Sequence, residues 1–273
     1  MTKPQFSFLR TVLLPSLLLA QASLSPAQDL TGGWAILIHE DFPERIPGPD
    51  IAEYAGIPLN AEARYRALNW DPAQLAMPEY QCRPHPSDYG NRFSDLRVWQ
   101  EIDRASQRTT ALQMRREWQA PERTIYLDGR PRPSEHAQHS WQGFSLGEWD
   151  GNMLNIYTTH LKASYVRRNG VPRSDQAEHQ EHYIIHDEHL TIVTVIKDPL
   201  YLEEPFIRTT NYRLDPRFSI DPYPCEPAVE IERDAGFVPH YLPGKNPFLE
   251  EYAQRYGLQL EDAMGGASTM YPE

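Results

Sequence analysis

Motifs of nucleotide or nucleophile chemistry are missing from this chain. Its 273 residues hold no G-x-S-x-G elbow, P-loop or dinucleotide-binding glycine pattern, so neither ATP chemistry nor hydride transfer has a motif behind it. No HExxH run or Cys-x-x-Cys pair occurs either. No apolar run approaches the roughly 20 residues that cross a bilayer. Basic side chains are in deficit, with 26 Lys and Arg against 38 Asp and Glu for a net charge of −12. That balance repels nucleic acid and anionic membranes, and neither is an expected partner. Cysteine is scarce, with two in the chain.

What is present begins with an address. Lys3 and Arg10 precede and border the apolar stretch 11–20, and Ser25, Pro26 and Ala27 supply small residues ahead of a cleavage point. This is the layout of a secretory signal peptide over residues 1–27. The mature protein is expected to start at Gln28, periplasmic or secreted, with no membrane insertion after signal removal. Losing Lys3 and Arg10 leaves 24 basic against 38 acidic residues, a net charge near −14. In an oxidising compartment an even cysteine count implies a disulfide, so Cys82 and Cys225, both in proline-bounded loops, are expected to pair. No linker-like break divides residues 28–273. They read as a single β-rich domain with a proline-rich tail from about 215 onward.

Strand signals dominate the mature chain. Gly33–His39 opens it, followed by a Pro/Gly-rich connection and a short helix capped by Asn60 and running to Leu68. Segments 96–102, 109–118, 123–127, 144–149, 152–162, 178–186, 190–196 and 206–214 carry β-branched and aromatic residues with partial alternation. Asp150-Gly151 between two of them is a strong hairpin signal. Short turns and no βαβ alternation predict a mainly β fold, an antiparallel meander closing into a lipocalin-like barrel or half-barrel. Near the C-terminus, Asn246 and Pro247 start a helix that Gly257 stops. That tail is expected to lie across the barrel as a lid or plug.

The stretch 152–162 carries the main site expectation. Leu154, Ile156, Thr158, His160 and Lys162 share one strand face. An imidazole and an ammonium continuing an apolar stripe predict a strand that starts in the core and ends at a polar pocket where partners converge. Glu181 shares its face with His179, Tyr183 and Ile185, making it a candidate general base whose pKa burial would raise. After Asp128 comes a long segment in which Arg130, His139 and Trp141 form one side of a pocket mouth. Asp128 is either a turn cap or a catalytic acid. Tyr157 and Tyr165 offer apolar cover for a ligand. Arg167, Arg168 and Asn169, with Arg173 nearby, either fix an anionic ligand by bidentate hydrogen bonds or pair with the protein's own carboxylates. Seven of the ten histidines fall between His136 and His189. On a strand His182 and His186 lie about 13 Å apart, too far to share an ion, so neither metal nor cofactor is expected.

These pieces resemble an uncharacterised family of exported bacterial proteins, lipocalin-like in appearance. The matching motifs are Asp128-Gly129-Arg130-Pro131, Trp141-Gln142-Gly143-Phe144-Ser145, Thr158-Thr159-His160-Leu161-Lys162, Arg167-Arg168-Asn169-Gly170 and Val238-Pro239-His240-Tyr241-Leu242-Pro243-Gly244. The resemblance covers nearly the whole mature chain. It implies a single domain with an extracytoplasmic site, and it carries no activity to transfer.

The resulting expectation is an exported barrel binding a small anionic or oxygenated organic molecule in a polar-ended pocket. The alternative is a cofactor-independent lyase, isomerase or hydrolase in which His160 and Glu181 are acid and base and Lys162 stabilises developing charge. A protein partner is left open.

Overall fold

Alternating segments of the chain become strands that curl into a closed barrel. The computed structural model describes residues 29–38, 48–92 and 94–271. The expected signal peptide, its cleavage point and the His39 end of the first expected strand lie outside them. In chain order the strands are β1 Gly32–Leu37, β2 Leu96–Ile102, β3 Thr109–Arg116, β4 Glu122–Tyr126, β5 Phe144–Asp150 and β6 Met153–Thr159, then β7 Ser164–Arg167, β8 Val171–Arg173, β9 Glu178–His186, β10 His189–Lys197 and β11 Phe206–Leu214. Around the barrel they run β1-β11-β10-β9-β6-β5-β4-β3-β2, while β7 and β8 form a separate two-stranded sheet. The expected mainly β barrel is what the chain builds. It departs from a pure meander at one place, where β4 and β5 pair in parallel through Ile125↔Ser145 and Tyr126↔Leu146. Residues 127–143 are long enough to carry the chain back to the starting end of β4, which a tight turn cannot do.

Alternation decides what the barrel encloses. Leu154, Ile156 and Thr158 of β6 are buried, as are His179, Glu181, Tyr183 and Ile185 of β9 and Leu190, Ile192, Thr194 and Ile196 of β10. At one end the interior is apolar, with Trp34, Val98, Leu112, Leu154, Ile185 and Leu190 in one cluster. Gly147 permits close packing there, since a Cβ on it would stand 2.7 Å from Ile125 Cγ2 and 2.8 Å from Leu127 Cδ2. The other end is polar and is entered by the chain itself, through the short helix Ser87–Gly90 and Asn91.

A second core sits beside that polar end. The helix Ala61–Leu68 begins where Asn60 Oδ1 accepts from the Ala63 amide at 2.9 Å. Its Ala63 and Ala67 pack with Tyr54, Leu59, Val166, Val171, Ile196 and Tyr201. The tail docks on this region instead of closing the barrel. Tyr241 N–H donates to Asn69 O, Asn246 Nδ2 donates to Leu68 O at 3.0 Å, and Tyr54 N–H donates to Ala263 O. The plug is therefore residues 87–91, a correction to the tail expectation. Asn246 accepts from the Phe248 amide and closes a turn without capping a helix; the helix is Glu251–Tyr256, which starts after Glu250 and is ended, as expected, by Gly257 at φ 66°. Cys82 and Cys225 are joined as a disulfide.

Candidate functional site

The alternation that places Glu181 inside does not extend to His160. β6 stops at Thr159, and His160 takes a left-handed backbone with φ 57°. One such residue shifts the parity of everything after it. Leu161 is consequently the buried side chain, while Lys162 is exposed. The imidazole of His160 lies on the outer wall, with Nε2 2.9 Å from Ser134 O and Nδ1 2.8 Å from Thr159 Oγ1. Lys162 Nζ stands 5.1 Å from the centre of the Trp141 ring. The expected convergence of His160, Lys162 and Glu181 on one pocket is thus overturned. His160 and Glu181 face opposite sides of the wall and form no shared acid–base centre.

Glu181 instead anchors a buried polar network. Arg123, directed inward from β4, donates through Nη1 to Oε1 at 3.1 Å and through Nη2 to Oε2. Its remaining donors reach Ser145 Oγ at 3.0 Å and Thr158 Oγ1 at 2.6 Å. From the plug, Asn91 Nδ2 donates to Glu181 Oε1 at 2.6 Å, and Arg116 donates to Asn91 Oδ1 and to Tyr212 Oη. Alongside, Asp88 lies 3.3 Å from Arg173 Nε and 3.7 Å from His179 Nε2, all three fully buried. Burial alone would raise the Glu181 pKa, but the charge and hydrogen bonds of Arg123 outweigh it and leave the carboxyl below its ordinary value. The general-base expectation assumed an unpaired carboxylate, and that assumption fails. Asp88 is likewise lowered, since Arg173, His179 and Arg208 overcome its burial.

His179 behaves in the opposite way for a base, because desolvation pulls it down to about 4 from 6.5 despite nearby Asp88. A histidine whose folded pKa lies below its unfolded value must stay neutral for the fold to persist. Its contribution is full above pH 6.5 and is lost as pH falls from there toward 4. Asp88 and Glu181 lose their contributions at still lower pH, through their depressed folded values. Unfolding free energy is therefore expected to drop by on the order of 2–3 kcal/mol across that first window. Urea titrations at about pH 7, 5.5 and 4.5 should show a slope of at least this size, and His179→Asn should reduce it by the His179 share, the remainder coming from His85, which burial holds down at about 3. An equal slope in the variant would remove His179 as the cause.

The remaining candidates divide between packing and an outer groove. Arg167 is nearly buried and donates to Glu53 Oε1 at 2.6 Å, and Asn169 Nδ2 donates to Asp50 O at 2.8 Å. Tyr165 packs edge-on to Tyr89 at 4.9 Å and meets His85 Nδ1 at 3.2 Å. Arg168 is exposed nearby. Of the two readings of this cluster, pairing with the protein's own groups is the one realised for Arg167. His139 holds Leu161 O through Nδ1 and stacks edge-on to His160 at 5.2 Å.

Arg130 and Tyr157, by contrast, line a groove of about 760 Å³ on the outer face of β5, β6 and β9, roofed by residues 127–132. Arg130 lies 3.6 Å over the Tyr126 ring, and Arg132 lies 3.9 Å over Tyr157. Asp128 accepts from Arg130 Nε at 2.9 Å and Nη2 at 2.6 Å, which holds its carboxyl down at about 2. This carboxylate orients an arginine and shows no sign of an acid's elevated pKa. Leu146, Glu148, Trp149, Asn155, Gln180 and His182 are also part of the lining. Trp141 lines a neighbouring recess of about 360 Å³. Sequence patterning singles out Arg130 and not Arg132, because only Arg130 sits in a recognised turn, although the Arg-Pro repeat contains both.

The fold and grooves describe a closed, mostly antiparallel β-barrel with a plugged polar end and an arginine-roofed outer groove. No family model matches the chain, and no curated protein matches it. Among solved structures, the crystal structure of a point mutant of the fluorescent protein UnaG aligns at 11% identity, over 68% of this chain and 95% of that chain, with a TM-score of 0.30.

Proposed function

We propose that this protein is an exported β-barrel that binds a small anionic or oxygenated organic molecule, and that the outer groove is where it does so. Export follows from the signal-peptide pattern of residues 1–27 and from the resemblance to exported bacterial proteins. The observation that carries the binding reading is Arg132 laid over Tyr157 at the groove, beside an Arg130–Tyr126 stack whose donors Asp128 already holds. A guanidinium laid on a ring keeps its in-plane donors available for a carboxylate while the ring screens its face from water. The groove's size falls within the roughly 300–1,000 Å³ of small-molecule sites. Among the described residues the barrel interior offers no comparable case, since Trp34, Tyr183, Tyr212 and the Glu181–Arg123 network occupy it.

Isothermal titration of the mature protein with 4-phenylbutyrate, benzoate and citrate tests this. At least one acid should bind, and Arg132→Ala should weaken it by about tenfold or more, the cost of one charge-assisted hydrogen bond. Absence of heat with all three, or an indifferent Arg132→Ala variant, would reject the groove as the site.

A further inference from the structure

The floor of the outer groove is two rows of side chains crossing three strands. Leu146↔Tyr157 and Tyr157↔Gln180 make one row, and Glu148↔Asn155 and Asn155↔His182 make the next. Each row carries one charge of opposite sign. Arg132 is laid 3.9 Å over the Tyr157 ring in the first row, and the exposed Glu148 begins the second. Among the described residues neither Arg132 nor Glu148 forms an ion pair, whereas their neighbours Arg130 and Asp128 are joined at 2.6 Å. The other ionisable groups of the lining are engaged elsewhere. His182 Nδ1 stands 2.6 Å from Asn155 Oδ1, Glu181 is directed inward to Arg123, and Glu178, just outside the lining, faces the Tyr157 hydroxyl. One cation and one anion are thus left for a ligand in the same cleft. Glu148 and Tyr157 are diagonal neighbours on adjacent strands, about 7–8 Å apart.

We infer that the ligand of this groove is a zwitterion, a short amino acid whose carboxylate meets Arg132 and whose ammonium meets Glu148, with about three carbons between the two groups to cover the diagonal. The inference rests on the proposed binding function and specifies its ligand class. A simple acid satisfies Arg132 alone and brings its negative charge toward Glu148. An amino acid turns that repulsion into a second charge-assisted hydrogen bond. Long-range electrostatics favour the same class, because a chain of net charge −12 repels anions and is indifferent to a neutral zwitterion. Between the two ends, the side-chain amides of Asn155 and Gln180 line the floor and can meet a hydroxyl or carbonyl on the spacer.

Titration calorimetry on the mature protein at low salt should compare 4-aminobutyrate with butyrate, which lacks the ammonium, and butylamine, which lacks the carboxylate. 4-Aminobutyrate should bind about threefold to tenfold more tightly than either, the range between an exposed charge pair and a charge-assisted hydrogen bond. Glu148→Gln, at an exposed position, should remove the advantage over butyrate. Butyrate itself should bind that variant as well as the parent protein or better, since the repelling carboxylate is gone. Equal binding of 4-aminobutyrate and butyrate, or a Glu148→Gln variant that keeps the preference, would overturn the zwitterion while the acid-binding reading survives. A preference for 2-aminobutyrate, which carries both groups on one carbon, would overturn the spacing. Failure of every acid to bind, or indifference to Arg132→Ala, would end both.

Discussion

The Arg123→Ala variant is expected to lose about 3–5 kcal/mol of unfolding free energy, a large share of the roughly 5–15 kcal/mol that holds a native domain together. The reason is the fate of the partner. Glu181 is fully buried, and Arg123 supplies both charge compensation and two of its hydrogen bonds. Without Arg123, the carboxylate retains Asn91 Nδ2 and a long contact from Tyr183 Oη at 3.4 Å. Neither is charged, so the group must take up a proton or draw water into the barrel. The pair itself need not be worth as much as its breakage costs, because removing two charges from water is expensive. Arg123→Met combined with Glu181→Leu should therefore be more stable than Arg123→Ala alone. Guanidinium titrations of the variants separate these cases. A double variant as unstable as the single one would mean that the network contributes through its geometry rather than its charge balance.

The same network shows which parts of the protein were legible in the sequence. Strands 96–102, 178–186 and 206–214 were readable to the residue, because half-buried strands in this barrel alternate strictly and end at turn residues. That Glu181 shares a face of β9 with His179, Tyr183 and Ile185 followed from the same period; that this face is the inner one depended on the barrel's register. What alternation could not reveal was its own interruption at His160. A single left-handed residue costs little for histidine compared with a β-branched side chain, and nothing in Thr159-His160-Leu161 marks it. The partners of Glu181 were also hidden. Asn91 and Asp88 come from a segment of short helical turns around residue 90, and Arg123 from a strand 58 residues earlier, so only the closed barrel brings them together. The arginine cluster at 167–169 was visible as a cluster. Its use required knowing that the chain around Glu53 packs against it, which is a tertiary fact.

Removing the Cys82–Cys225 disulfide is the other change with a large expected effect. The bridge spans 143 residues, and the chain-entropy model assigns a loop of that length about 5 kcal/mol of stabilisation. The tail it anchors has little else at that point. Between residues 223 and 242, Tyr223, Val229, Ile231, Phe237, Val238 and Leu242 are all exposed. Among the described residues, its local contacts include the exchange of hydrogen bonds between Gln81 and Ala228, 2.7 and 2.9 Å long, a bond from Gln74 Nε2 to Pro239 O at 2.7 Å, and an antiparallel bridge from Trp70 to His240. A Cys82→Ser/Cys225→Ser variant is thus expected to lose about 3–5 kcal/mol in urea titration. Its denaturant slope should rise, because an unfolded chain freed of a long cross-link exposes more surface. Proteolysis under native conditions should reach residues 215–240 first. The barrel strands should stay protected, since their hydrogen-bond ladder closes independently of the tail. An unchanged midpoint with an unchanged slope would mean that the docking contacts around Asn69, Leu68 and Tyr54 hold the tail without the bridge. In that event the entropy assigned to the 143-residue loop would have to be offset by structure already present in the reduced unfolded chain.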